Sequence, residues 1–316
     1  MKLWKFIENE INNNRKVILI SVIERKGSSP GKAGYKIAVS DNNSLEGSIG
    51  GGVMEVNMVE YAKKILKEKS NEIFIKKQIH NPNAGQEASG LICSGEQTHA
   101  FIPIDSSNIN TVSEIITCLE KGNSGILTLS QKGLEFIESD EKSAFTKCDI
   151  QDENVWSFSE VIGKTDTIYI FGGGHVSIPV SQIFKMLGFK VVVYDNRKDL
   201  STIDKNIYAD IKEIIDYKDA GKMIKDEFNS YVAIMTVSHA EDQLILKQMA
   251  SKNLKYLGMI GSKNKVKKIF DALLSQGITQ EQLDKVDAPM GIPVKCHTTE
   301  EIAVTIAAKV IQVKNE

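Results

Sequence analysis

Between Thr167 and Arg197 the chain reads TIYIFGGGHVSIPVSQIFKMLGFKVVVYDNR, and no other stretch restricts the possible folds as strongly. Ile168 to Phe171 is a short apolar run with β-branched residues, the pattern of a buried strand. Gly172-Gly173-Gly174 interrupts it, and Val176 to Leu187 then places apolar residues at helical spacing. Lys190 to Tyr194 reads as a second strand that ends on Asp195. Glycines at such a turn bring backbone N–H groups and a helix start close to a phosphate. An acidic residue about 20 positions on is what a Rossmann nucleotide site uses to hold a ribose hydroxyl. Gly172 and Gly174 occupy the first two glycine positions, while Ser177 stands at the third, where a small residue is needed for close helix-to-strand packing. The context predicts a Rossmann-type unit; which ligand it takes does not follow from the fold.

The 316 residues suffice for two domains with separate cores, and 41% hydrophobic with 25% charged residues is ordinary for a globular protein. A net charge of -2 argues against a general nucleic-acid binder, which needs a basic surplus. No apolar run approaches the length of a membrane span, and MKLWKFIENE lacks the apolar core of a signal peptide, so a cytoplasmic protein with no membrane partner is expected. Cys93, Cys118, Cys148 and Cys296 show no CxxC spacing, which favours reduced thiols.

Before the Rossmann pattern, helix and strand signals are mixed. Leu3 to Ile11 is an amphipathic helix and Val17 to Ile23 a strand. Two glycine-rich segments follow, GSSPGKAG (27–34) before a strand over 35–40, and GSIGGG (47–52) before a helix over 53–69. Gly50, Gly51 and Gly52 precede that helix, as in an anion or cofactor pocket, or in a plain turn with an ordinary cap. The first segment is not a Walker loop, since Ala33 follows Lys32. Strands are expected over 72–79 and 96–104, a helix over 109–120, and a hairpin from 125–130 with 134–138. Cys93 lies between Gly90 and Gly95, where a thiol serves either as an exposed ligand and nucleophile or as a small buried hydrophobe.

These signals give an α/β protein: a mixed α+β N-terminal domain over 1–139, an acidic, polar linker over 140–164 with Trp156 and Phe158 docking it, and a C-terminal Rossmann-like parallel-sheet domain over 165–316. Within the last, 214–228 reads as a helix and 231–237 as a buried strand leading into Ser238-His239-Ala240-Glu241-Asp242. Ser238 and Glu241 have capping-box spacing there. The strand over 256–260 ends in Gly261-Ser262-Lys263, and Thr298 with Glu301 caps the last helix. Strand ends in an open parallel sheet share one edge, where ligands bind. That edge carries His175, Asp195, Arg197, His239, Asp242, Ser262 and Lys263. His175 and His239 read either as acid–base groups or as capping residues, and Lys263 either as a phosphate ligand or as a solvated helix start. Lys265, Lys267 and Lys268 read as a solvated face. Cys296-His297 has no further ligands nearby in sequence and is not read as a metal pair.

Taken in order, GSSPGKAGYKIAV (27–39), GSIGGGVME (47–55), CSG (93–95), FGGGHVS (171–177), YDNR (194–197), SHAEDQ (238–243), YLGMIGSKNK (256–265), APMGI (288–292) and TTEEIAVTIAA (298–308) resemble the XdhC/CoxI family, accessory factors of xanthine dehydrogenase and related molybdenum hydroxylases. The resemblance implies a cytoplasmic, dimeric chaperone. Such a protein binds molybdenum cofactor (molybdopterin), protects its sulfurated form and hands it to an apo molybdenum hydroxylase, with a cysteine desulfurase as a further partner. Under it, Cys93 with Gly50 to Gly52 faces the metal end of the cofactor, and the Rossmann edge holds a phosphate or nucleotide end. The alternative is an NAD(P)-dependent oxidoreductase using Gly172 to Asp195 with His239 as acid or base. Ser94 where the family usually shows Cys-Gly-Gly, Pro293-Val294-Lys295 near the C-terminus and Ser177 are departures that bear on the client.

Overall fold

A computed structural model describes residues 1–79, 95–141, 145–224 and 229–315. Two compact units emerge, Met1–Lys164 and Thr165–Glu316.

The first unit runs α1 (Lys2–Asn12), β1 (Val17–Lys26), β2 (Lys36–Ser40), β3 (Leu45–Ser48), α2 (Gly52–Glu68), β4 (Phe74–Ile79), β5 (Glu96–Ile104), α3 (Ile109–Glu120), β6 (Gly125–Ser130), β7 (Gly133–Glu138), β8 (Thr146–Ile150) and β9 (Trp156–Ile162). One antiparallel sheet has the order β3-β2-β1-β5-β4. Its central strand β1 is apolar from Val17 to Ile20 because both faces are covered. Leu19 and Ile23 pack with Trp4, Ile7, Ile115 and Phe158, while Ile18, Ile20 and Val22 pack with Met54, Met58 and Ala62 of α2.

The linker expected over 140–164 is not what the described residues form, since 146–150 and 156–162 are strands. Strands β8 and β9 complete a second antiparallel sheet, β7-β6-β9-β8, in the first unit. In β9 Trp156, Phe158 and Glu160 point inward and Ser157 and Ser159 lie between them, a period of two. The inward Glu160 disguises that period. It is buried because Lys36 of β2 meets it in an ion pair.

The second unit runs β10 (Thr167–Phe171), α4 (Ser177–Met186), β11 (Lys190–Asp195), α5 (Ser201–Lys205), β12 (Ile211–Ile214), α6 (Ala220–Met223), β13 (Ser230–Ile234), α7 (His239–Met249), β14 (Tyr256–Met259), α8 (Lys263–Ser275), α9 (Gln280–Asp284) and α10 (Thr299–Asn315). The five strands are all parallel in the order β12-β11-β10-β13-β14, and apolar clusters cover both faces of the sheet. This is the Rossmann-like α/β domain expected from the glycine turn. The helix expected over 214–228 is absent from its first part. Ile211–Ile214 is the edge strand, Asp216 accepts a bond from Lys218 N and caps a 3-10 turn over Tyr217–Asp219, and the α-helix that follows is only Ala220–Met223, before 225–228, which lie outside the described residues. An edge strand lacks one neighbour and so does not carry the apolar run of a central one, which leaves the helical spacing as the stronger signal. Among the described residues no helix is long and apolar enough to cross a membrane.

Candidate functional site

The Rossmann edge is built around Gly172 to Gly174. Gly172 has φ +111, and a Cβ there would meet Met235 O at 2.3 Å, so this residue is required for close approach of the β10 and β13 strand ends. A Cβ on Gly173 would meet Ile203 Cγ1 at 2.3 Å, whereas Gly174 faces open space. Ser177 suits the third glycine position: it is fully buried, and its Oγ donates to Gly174 O at 2.7 Å. Its small size keeps the packing and its hydroxyl finds a carbonyl inside the turn.

Asp195 closes the turn from the end of β11. Its Oδ2 accepts from Gly173 N at 2.7 Å and from Arg197 Nη2 at 2.7 Å; its Oδ1 accepts from Arg197 N at 2.9 Å and Nε at 2.8 Å. The side chain of Asp195 is 0% exposed and that of Arg197 36%. Burial alone would raise the carboxyl pKa, but the bonds from Arg197 and Gly173 outweigh it and hold the group below the usual carboxylate range.

Beside this clasp, Asn196 Nδ2 donates to Glu241 Oε1. The second Glu241 oxygen is enclosed and has no hydrogen-bond partner among the described residues. Glu241 therefore does not form the capping box expected with Ser238, whose side chain makes no cap bond. Thr236 and Asp242 make the connection instead. Asp242 is fully buried, and its Oδ1 accepts from Thr236 N at 3.0 Å and Thr236 Oγ1 at 2.6 Å. Lys265 Nζ pairs with the other Asp242 oxygen. Ser262 caps α8 by accepting from Lys265 N at 3.3 Å, and Lys263 is exposed.

The edge thus joins Asp195 with Arg197, and Asp242 with Lys265. The sequence pattern places Lys265 on a solvated face with Lys267 and Lys268, yet its side chain is only 12% exposed. The available signal is Gly261, since a Cβ there would collide with the Lys265 stem at 2.7 Å. His175 and His239 are exposed, His175 in the turn two residues before α4 and His239 as the first residue of α7. Thr298 and Glu301 do form the expected cap, with Glu301 N to Thr298 Oγ1 at 3.2 Å and Thr298 N to Glu301 Oε2 at 3.3 Å.

In the first unit the two glycine segments converge. A Cβ on Gly31 would meet Ile49 O at 2.1 Å and Gln97 Nε2 at 2.5 Å, and one on Gly50 would meet Gly31 N at 2.6 Å. Gly95 joins them, since a Cβ there would meet Ser28 O at 2.0 Å. Backbone therefore lies against backbone across three segments far apart in sequence, which only glycine permits.

The N–H groups of Ile49, Gly50 and Gly51 in the second segment are already in use. Glu55 Oε2 accepts from Ile49 N at 2.8 Å, Gly51 N at 3.0 Å and Ser48 Oγ at 2.7 Å, and Gly50 N donates to Ser48 Oγ at 3.1 Å. Burial would raise the Glu55 carboxyl pKa; the bonds from Ser48, Ile49 and Gly51 lower it below its ordinary value. An incoming anion at Gly50 or Gly51 has to displace this carboxylate.

Beside Gly31 lies Gln97 of β5, paired in register with Gln78 of β4, and the two are 0% and 5% exposed. Gln97 Nε2 donates to Gly31 O at 3.0 Å. The Oε1 atoms of both residues have no hydrogen-bond partner among the described residues. Cys93 lies outside the described residues. Cys118, Cys148 and Cys296 are free thiols, and no cluster of three metal-ligating side chains occurs among the described residues.

Comparison with known proteins agrees with this division. Residues 168–310 match the XdhC Rossmann domain, and residues 11–75 match the XdhC and CoxI family. The chain is 20% identical over 324 residues to a probable xanthine dehydrogenase subunit of Bacillus subtilis strain 168, covering 96% of this chain and 95% of that protein. It is 20% identical over 303 residues to the uncharacterized protein YqeB of Escherichia coli K12, covering 94% of this chain but only 43% of YqeB. A crystal structure described as a xanthine dehydrogenase from Bacillus halodurans superposes with a TM-score of 0.75 at 22% identity, over 100% of this chain and 96% of that one, and so shares its fold. The glycine turn at 172–174, the N-terminal glycine segments and matches to family profiles in both units lead to one assignment: the chain belongs to the XdhC and CoxI family.

Proposed function

We propose that this protein is an accessory factor of a xanthine dehydrogenase-type molybdenum hydroxylase, binding molybdenum cofactor and delivering it to the apo-enzyme. Family membership supports the link to xanthine dehydrogenase. The observation that carries the binding role is the pair of enclosed acceptors without a partner among the described residues, Gln97 Oε1 on the residue beside Gly31 and Gln78 Oε1 on its cross-strand neighbour. A buried acceptor without a donor is costly, so such a site calls for a donor-bearing group. The edge of a pterin ring carries adjacent N–H groups of that kind, which two amide oxygens can accept. Gln78 and Gln97 would hold that edge. When bound, the cofactor supplies the redox-active metal. The protein's share is to orient the pterin and exclude water.

The phosphate end has no open cradle at Gly51, where Glu55 already fills the turn. Gly174 and His175 offer an open glycine turn before a helix in the second unit. An oxidoreductase reading gains nothing specific: the carboxylate it needs for ribose, Asp195, is fully bonded within the chain.

The test is native mass spectrometry of the protein purified from cells that synthesise molybdenum cofactor, with molybdenum and pterin assayed on the same sample. Co-purified molybdopterin, reduced several-fold in a Gln78→Leu, Gln97→Leu double variant, is the expected result. A protein free of pterin, or one whose pterin content ignores the double substitution, would contradict the reading.

A further inference from the structure

In a dinucleotide-binding Rossmann unit, the acidic residue ending the second strand accepts the hydroxyls of the adenosine ribose. Asp195 stands at that position, but its acceptors are taken. An ionised carboxylate offers about four acceptor sites. Asp195 receives Gly173 N, Arg197 N, Arg197 Nε and Arg197 Nη2, all between 2.7 and 2.9 Å, and keeps no exposed surface.

The two guanidinium contacts form a fork, Nε on one oxygen and Nη2 on the other. This is the geometry in which arginine matches a carboxylate best. A vicinal diol presents two donors to the same pair of oxygens. Because Arg197 is only two residues from Asp195, no distant element has to move for the fork to form or open. The Arg197 side chain is also 36% exposed, so it can swing into solvent, whereas Asp195 is held from beneath by Gly173. The rest of the turn keeps what a nucleotide needs. Gly172 makes the tight approach to β13, Gly174 has open space beside it, and α4 starts at Ser177.

We propose that Arg197 is an internal competitor for the ribose-diol subsite of the Rossmann unit, occupying both oxygens of Asp195 and so selecting against ligands recognised through a free diol, such as NAD. A ligand bound by the turn amides alone, through a phosphate, meets no such competition. The selection concerns the second unit and holds whatever cargo the protein carries.

Isothermal titration of the full-length protein with NAD⁺ and, separately, with inorganic pyrophosphate tests this. Arg197→Ala should bind NAD⁺ about tenfold or more tightly than the unmodified protein, the gain expected when hydrogen bonds to a charged acceptor become available to the ligand. Asp195→Asn combined with Arg197→Ala should return NAD⁺ affinity to the starting level, and pyrophosphate affinity should not rise in either variant. Arg197→Lys, which keeps the charge and drops the fork, should show part of the gain if the alanine variant is poorly folded by circular dichroism. NAD⁺ binding that is unchanged, undetectable or weakened in both Arg197 variants overturns the proposal. An equal rise for pyrophosphate, which has no diol, also overturns it.

Discussion

The two glycine turns that lead into helices differ in how the chain closes them. Before α2, the carboxylate comes from the helix itself: Glu55 folds back to Ile49 N and Gly51 N, remains partly exposed, and has Ser48 as its other partner. Before α4, it comes from the neighbouring strand. Asp195 is wholly buried, takes Gly173 N, and is matched by Arg197. The first arrangement satisfies a helix start with a negative charge, as the helix dipole favours. The second is a structural joint between β10 and β11 that also places a cation at the rim. A run of glycines before a helix therefore does not by itself mean an empty anion site. The position of the chain's own carboxylates decides.

Substitutions that separate these roles should differ in size. The largest effect belongs to Gly172→Ala, because the added Cβ meets Met235 O at 2.3 Å and the residue has φ +111. We expect a loss of about 3 kcal/mol or more in urea unfolding, a value reached when strain and a backbone clash coincide. A loss below about 1 kcal/mol would mean the strand ends can part cheaply, and the joint would be looser than described.

Next comes Asp195→Asn, which weakens three bonds from Arg197 and one from Gly173. About 2 kcal/mol is expected, with the partial exposure of Arg197 limiting the loss. The pH dependence has a definite sign. The folded-state pKa of Asp195 is depressed, so its contribution is complete above the unfolded value of about 3.9 and is lost as pH falls through the lower folded value. The gap between the native protein and Asp195→Asn should thus be constant from about pH 7 to 5 and shrink below about 3.9. A gap that widens on acidification would contradict the assignment.

Glu55→Gln should cost less, about 1 kcal/mol, since its carboxylate is partly solvated. Its pKa is likewise lowered, so this difference too should fade only at acid pH. Smallest is Gly174→Ala. Nothing lies within 4 Å of the added Cβ, and unfolding should change by less than about 0.5 kcal/mol. A large loss there would mean that the open space beside the turn is needed by the fold, which would weaken the case for a ligand at that point.

The contrast also marks what is legible in the amino-acid order. Both turns, the helices after them and the parallel sheet follow from glycine runs and apolar spacing, which are local signals. The expected strand at Glu96 to Ile104 and helix at Ile109 to Glu120 match the observed bounds for the same reason. What escapes depends on partners distant in sequence. Strand β9 is hidden because Glu160 breaks its apolar alternation, and only Lys36, 124 residues away, explains why that carboxylate is inside. Lys265 has the pattern of one lysine on a solvated helix, and only the fold brings it to Asp242 as a buried partner. Asp195 is legible from its position, but position alone does not reveal that Arg197 fills its acceptors. The buried glutamines of β4 and β5 carry no motif at all. Their significance comes from cross-strand register, Gln78 opposite Gln97.

A delivery role is tested by the molybdenum content of a xanthine dehydrogenase-type hydroxylase produced in otherwise identical cells with and without this protein. The client is expected to be folded in both cases but loaded with molybdenum cofactor several-fold less often when the protein is absent, with loading restored by the unmodified chain and not by the Gln78→Leu, Gln97→Leu double variant. Equal molybdenum content with and without the protein would contradict a delivery role.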